Sequence, residues 1–278
     1  MPKKTELKYK FTNDVLFKMF FVMHQHLLKR LVSVLLEIPL DSIQDFHIIN
    51  AEMPPEEIGK KFCKLDIHMV VDNVRINLEI QVQDEGNYPE RVLFHWARMY
   101  SSALPKGNNY SLLPKTIVIS ILGFNQFTGM DVHSQFAPLE ITRHELLSDK
   151  MSFHFYELKK LPKIDALDPT SEKDLWLALF NAKTEEELEK LVSDGGAIMS
   201  QAVEAYRGVT ATDKFKYLEI LRERAAHDEA QALYNARMKE REIWQDVIAD
   251  KDAALANKDM ALADKDALIA ELKAKLGM

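Results

Sequence analysis

The stretch from Lys61 to Val82 constrains the fold most, because it reads as two β-strands joined by a two-residue turn. Leu65, Ile67, Met69 and Val71 alternate with Lys64, Asp66, His68 and Val70, the period of a strand with one buried face. Val74, Ile76, Leu78 and Ile80 then alternate with Arg75, Asn77, Glu79 and Gln81. Between the two runs, Asp72 and Asn73 tolerate the positive φ that a tight hairpin turn demands. Counting outward from that turn fixes a register. Val71 faces Val74, Met69 faces Ile76, Ile67 faces Leu78 and Leu65 faces Ile80, so one face is uniformly apolar. On the other face His68 meets Asn77, Asp66 meets Glu79 and Lys64 meets Gln81.

This register sets two carboxylates opposite each other with Cβ atoms roughly 5 Å apart, where like charges destabilise a sheet. Three arrangements offset the repulsion. One carboxyl stays protonated; or a cation sits between them, which for oxygen-only ligands suits Mg²⁺, Mn²⁺ or Ca²⁺; or the acids splay apart on a solvated face with Lys64 screening them. The hairpin alone leaves all three open.

The flanking sequence supplies a layered core. Periodic apolar residues from Val15 to Ile38 predict one helix over residues 11–38, capped by Thr12 or Asn13 and ended by Pro39. His24 and His26 on it read as surface or packing residues. Asp45 to Met53 predicts a first strand with Glu52 near its end, and Pro54, Pro55 and the acidic stretch around Glu56 form a loop into the hairpin. A second helix is predicted from Tyr88 to Leu104, with Pro89 in its first turn and Arg91, Arg98 and Tyr100 as its polar candidates. Arg91 suits either a phosphate or a salt bridge. The continuous apolar run from Lys115 to Gly123 predicts an interior strand covered on both faces, and Ser152 to Leu161 a further strand.

From Thr170 the pattern is helical throughout, over residues 170–183, 184–193, 197–207 and from Ala211 to the end. A seven-residue repeat opens at Lys251, Lys258 and Lys265 and puts Leu255, Leu262, Ile269 and Leu276 on one stripe. Lysines fill the second core position of the seam, so a conditional coiled coil and a solitary charged helix both fit. The net charge of −7 belongs to this half: up to Leu161, 19 basic residues balance 19 acidic ones. A single cysteine, Cys63, excludes an intramolecular disulfide and a thiolate zinc site. With no signal-peptide run and no stretch of about 18 uninterrupted apolar residues, the expected location is the cytoplasm.

The order helix, three strands, helix, strand resembles the PD-(D/E)xK nuclease core, and within it the Rpn-type recombination-promoting nucleases, or PD-(D/E)xK transposase-family proteins. Thr12 to Lys18, Lys64 to Ile67, Asn77 to Gln81, Arg91 to Tyr100 and Tyr110 to Ile121 carry the resemblance, over roughly residues 8–160. It implies an α/β (α+β), restriction-endonuclease-like mixed sheet flanked by helices. The expected division is a nuclease-like core over 8–161, a helical subdomain over 162–210 and a tail over 211–278 with heptads at 251–276. It implies that Asp66, Glu79 and the main-chain carbonyl of Ile80 hold a divalent ion, Mg²⁺ before Mn²⁺ or Ca²⁺. DNA is the implied substrate. Leu65 stands where the signature has proline, and Gln81 where the broad superfamily has lysine; the Rpn-like subgroup is similar in using Glu-x-Gln. Glutamine carries no charge to orient or deprotonate a water, and Lys64, opposite it, is the candidate for the missing ammonium. Asp14, Glu52, Glu56, Arg91 and Tyr100 are accessory candidates, with Asp14 equally suited to a structural place in the first turn.

The expected activity is therefore metal-dependent DNA endonuclease, linked to recombination or mobile-element processes, with a tail that permits homo-oligomers. Two other readings use the same residues: a decayed nuclease scaffold working through its C-terminal helices, and a small-molecule metallo-hydrolase.

Overall fold

A computed structural model describes residues 5–50 and 66–277 of the chain. Glu52, Glu56, Cys63, Lys64 and Leu65 lie outside the described residues. Two compact units divide at Arg222 and Glu223.

The first unit is built on a six-stranded mixed sheet of order β1-β2-β3-β4-β6-β5. The strands are β1 (Phe46–Ile48), β2 (Ile67–Val71), β3 (Val74–Gln81), β4 (Thr116–Leu122), β5 (His133–Phe136) and β6 (Met151–Glu157). β1, β2 and β3 run antiparallel, β3, β4 and β6 parallel, and β5 returns antiparallel at the far edge. The hairpin turn is the expected one: Asp72 and Asn73 sit at φ 47° and 66°. The ladder pairs Val71 with Val74, Met69 with Ile76 and Ile67 with Leu78, so the register counted from the turn holds. Asp72 Oδ1 also accepts from Gln44 N (2.9 Å) and Asp45 N (2.7 Å), which pins the entry to β1 against the turn.

Six helices, α1 (Asp14–Met23), α2 (Gln25–Leu35), α3 (Tyr88–Ser101), α4 (Glu172–Asn181), α5 (Glu185–Ala211) and α6 (Asp213–Leu276), complete the described elements. The single helix expected over 11–38 is broken at His24 (φ −124°, ψ 63°), whose N–H closes α1 on Phe20 and whose carbonyl opens α2. The break suits the two segments: α1 buries every residue from Val15 to Phe21, whereas α2 keeps one apolar stripe. Asn13 caps α1, accepting from Leu16 N at 3.0 Å. The two helices expected over 184–193 and 197–207 are the arms of α5, bent at Gly196 (φ 55°). β5 lies in a stretch with no strand period, because its residues alternate only His133 and Gln135 against Ser134 and Phe136 at a half-exposed edge.

The sheet has a different partner on each face. Ile67, Met69, Val71, Ile76, Leu78, Ile117, Ile119 and Ile121 join α1, α2, α4 and α5 in the larger core. On the opposite face α3 lays Tyr88 and Val92 on Val118, Leu122, Phe153 and Phe155. β4 is buried along its whole length, as an interior strand must be. Asp66, Asn77 and Glu79 point to the α3 side, where the aromatic layer stops and a polar enclosure begins.

The second unit is the remainder of α6, with no buried side chain from Glu223 on among the described residues. Leu255, Leu262, Ile269 and Leu276 stand exposed along one stripe. No helix among the described residues is long and apolar enough to cross a membrane.

Leu78 is fully buried between Asn77 and Glu79, so Leu78→Ala opens a cavity directly behind the polar enclosure. Chemical denaturation of this variant is expected to show a loss of about 2–5 kcal/mol.

Candidate functional site

Extending the observed ladder by one residue pair sets Asp66 opposite Glu79. Both are buried, at 8% and 4% exposure, which is rare for carboxylates and costly unless something compensates. Burial, then the neighbouring Glu79 carboxylate, pushes the Asp66 carboxyl well above the usual range. A hydrogen bond from Asn77 and the charge of Lys18 act against that shift. Burial likewise raises Glu79, against hydrogen bonds from Tyr88 and Ser120. Two acids driven upward together bind a proton more readily than free carboxyls, or require a cation to stay charged.

Each acid is fixed from the side. Tyr88 OH donates to Glu79 Oε1, and Ser120 Oγ, on the adjacent strand, donates to the same oxygen at 3.5 Å. Burial and Glu79 hold the Tyr88 phenol well above its ordinary range, so it acts as a donor. Glu79 Oε2 faces Arg91, whose Nη2 is 3.7 Å away. That guanidinium also donates to Gln81 Oε1 at 2.9 Å, pairs with Glu85 at 3.6 Å and lies 5.5 Å over the Tyr88 ring. Gln81 in turn donates its amide to Gln83 O at 2.9 Å. Gln81 is therefore a neutral bridge between Arg91 and the chain, with no proton to exchange.

α1 closes the site from another direction. Asp14 adds its charge to the field at Asp66, while its Oδ1 accepts from Val15 N (3.0 Å) and Arg222 Nε (2.8 Å). Asn13 donates to the buried Glu219 at 2.6 Å. A cavity of about 700 Å³ opens here, lined by Asn13, Asp14, Ile80, Gln81, Arg222 and neighbouring polar residues.

Of the residues singled out from sequence, the structure gathers Asp66, Glu79, Ile80, Gln81, Arg91 and Asp14 at one end of the β2–β3 hairpin. Tyr100 stands elsewhere: it stacks on Trp96 (4.8 Å), which donates to Thr116 O at the start of β4, opposite Arg75 and so at the other end of β3. Lys64 and Glu52 lie outside the described residues. Lys18, Asn77, Tyr88 and Ser120 are the residues that sequence reasoning passed over. Asn77 and Ser120 were hidden as ordinary strand positions, and Tyr88 as the first turn of an amphipathic helix.

The donor set suits a hard, oxygen-seeking divalent ion. No group of three or more His, Cys, Asp and Glu among the described residues is arranged to hold a metal; Asp66 and Glu79 are the buried carboxylates that the hairpin brings to the site. Asn77 Oδ1 adds a neutral oxygen beside them, buried without a hydrogen-bond partner among the described residues, and Ile80 follows Glu79 on the strand. Two carboxylates with neutral oxygens, leaving positions for water and substrate, is the pattern Mg²⁺ and Mn²⁺ favour.

The sequence model of the PD-(D/E)XK nuclease family transposases matches residues 11–236. No curated protein and no solved structure matches the chain.

The pair carries a signed pH prediction. A carboxyl whose pKa is raised by folding binds its proton more tightly in the native state, so its destabilising effect is absent below the unfolded value of about 4 and grows as pH rises through the folded value. Asp66→Asn is therefore expected to raise the denaturation midpoint of metal-free protein at pH 7. That gain should shrink as the pH is lowered towards 4 in parallel melts.

Proposed function

The chain belongs to the PD-(D/E)XK nuclease family transposases, so its function is nuclease- or transposase-related, and from that premise we propose that it is a metal-dependent DNA endonuclease. The observation that carries this reading is the buried, mutually raised pair Asp66 and Glu79. A protein with no use for a cation gains nothing from opposing two carboxylates inside a sheet.

Asp66, Glu79 and the Ile80 carbonyl would hold the ion, with Mg²⁺ the best fit and Mn²⁺ or Ca²⁺ also compatible. When bound, such an ion polarises the scissile phosphate and lowers the pKa of a water. The chain's own residues do the positioning. Tyr88 and Ser120 fix one oxygen of Glu79 and turn the other towards the enclosure. Gln81 holds Arg91 beside Glu79, where a guanidinium neutralises an incoming phosphate. Lys64 remains the proposed second phosphate contact, and Glu52 an accessory acid. Tyr100 has no part in the reacting centre on this reading. Contacts of this kind grip the backbone and carry little sequence preference. The reading places the protein with DNA in the cytoplasm, in recombination or mobile-element processes. Residues 8–161 then form the nuclease-like core, 162–210 a helical subdomain and 211–278 a tail that joins copies through its heptads.

A second reading is favoured by Gln81: its amide is spent on Arg91 and Gln83, as in a scaffold that has lost catalysis and works through its C-terminal helices. One assay separates the two. Purified protein is expected to nick supercoiled plasmid with Mg²⁺ or Mn²⁺, with cutting abolished in Asp66→Ala, in Glu79→Ala and by EDTA, and reduced in Lys64→Ala. Folded protein that cuts no DNA with any of these ions would support the scaffold instead.

A further inference from the structure

The sheet gathers positive charge at the end away from the acidic pair. A cavity of about 580 Å³ opens there, bordered by Val70, Asp72, Arg75, Leu113, Lys115 and Lys150. Two backbone bonds bring its cations together. Arg75 N donates to Lys115 O at 2.8 Å and Thr116 N to Lys150 O at 2.9 Å, so the entries to β3, β4 and β6 stand side by side. All three basic residues are half-buried, and Lys150 Nζ donates to Leu113 O at 2.9 Å. No ion pair holds any of them among the described residues. Asp72 is the one acid bordering the cavity among the described residues, and its Oδ1 already accepts from Gln44 N and Asp45 N. Three half-buried cations around one carboxylate repel each other, a cost that an incoming anion removes.

Strand geometry ties this cavity to the acids. Arg75 precedes Glu79 by four residues on β3, so the period of two puts both on the α3 side of the sheet. The rise of a strand sets them about 13 Å apart, close to four base-pair steps along a duplex. α3 spans the same interval: Tyr88 and Arg91 from its start meet Glu79, and Ala103, just past its end, borders the cavity. We infer that the cavity is a phosphate subsite, in which Arg75, Lys115 and Lys150 grip the DNA backbone away from the scissile bond. Guanidinium and ammonium groups at a phosphate read no base, so the grip adds affinity without sequence preference. The inference deepens the endonuclease reading and rests on it for DNA as the polymer. The unbalanced charge itself is independent of the acidic pair.

Binding without cutting tests this. Affinity for a short fluorescent duplex is measured in EDTA, over a range of salt, for the full chain and for Arg75→Gln/Lys115→Gln. Each single variant is measured beside them, so that a double variant that fails to fold leaves the comparison standing. Lys163→Gln/Lys183→Gln removes the same charge from two exposed positions as a control. The cavity variants are expected to weaken binding, about tenfold in the double, and to flatten the salt dependence by about one unit of slope per cation. The control pair should leave both near the wild-type values. Unchanged affinity and slope in the cavity variants, an equal loss in the control pair, or a wild type that binds no duplex would overturn the inference. So would calorimetric binding of inorganic phosphate that the cavity variants lose while their DNA affinity stays, since the cavity would then serve a free anion. If the cavity variants alone lose DNA affinity but the wild type cuts with no ion, the endonuclease reading falls and the subsite stands.

Discussion

The structure turns on a single electrostatic conflict: two carboxylates, Asp66 and Glu79, opposed on the polar face of a hairpin and removed from water. A tight turn with both central residues at positive φ fixes their register, because one face of the hairpin must enter the larger core. A slip of one residue would put Ile67, Met69, Ile76 and Leu78 on the wrong side of the sheet. The apolar face thus holds the acids in opposition. Their repulsion is a consequence of a register that the hydrophobic effect enforces.

The surrounding elements distribute the compensation. β4 contributes Ser120, α3 contributes Tyr88 and Arg91, and α1 contributes Asp14 and Lys18, so every layer of the first unit meets at the end of β3. These partners offset only part of the cost, for both carboxyls remain raised. On the endonuclease reading, a divalent cation fills this deficit of positive charge. Stability and chemistry are in tension here, as they are wherever a site is preorganised for charge that arrives with its ligand.

Much of this was legible in the sequence, and the limits have physical causes. Period-two alternation around Asp72 and Asn73 was enough to derive the hairpin, its register and the acidic pair. The continuous apolar run from Lys115 to Gly123 identified the central strand, observed over Thr116–Leu122. The break at His24 was not legible, because Val15 to Ile38 keeps a helical period through it. Tyr88 and Lys18 were hidden for a different reason. Their surroundings are set by how elements pack, and no local pattern says which side chain of a helix will lie over which strand. Tyr100 shows the converse: it lies on the same helix as Tyr88, yet its place near the helix's far end carries it to the other end of the sheet.

The measurement closest to the central claim is a crystal structure with Mn²⁺, located by its anomalous scattering. The account predicts one ion between Asp66 and Glu79, with both carboxylates and the Ile80 carbonyl at about 2.1 Å. Mn²⁺ elsewhere, with Asp66 and Glu79 joined by a shared proton in the same crystals, would contradict it.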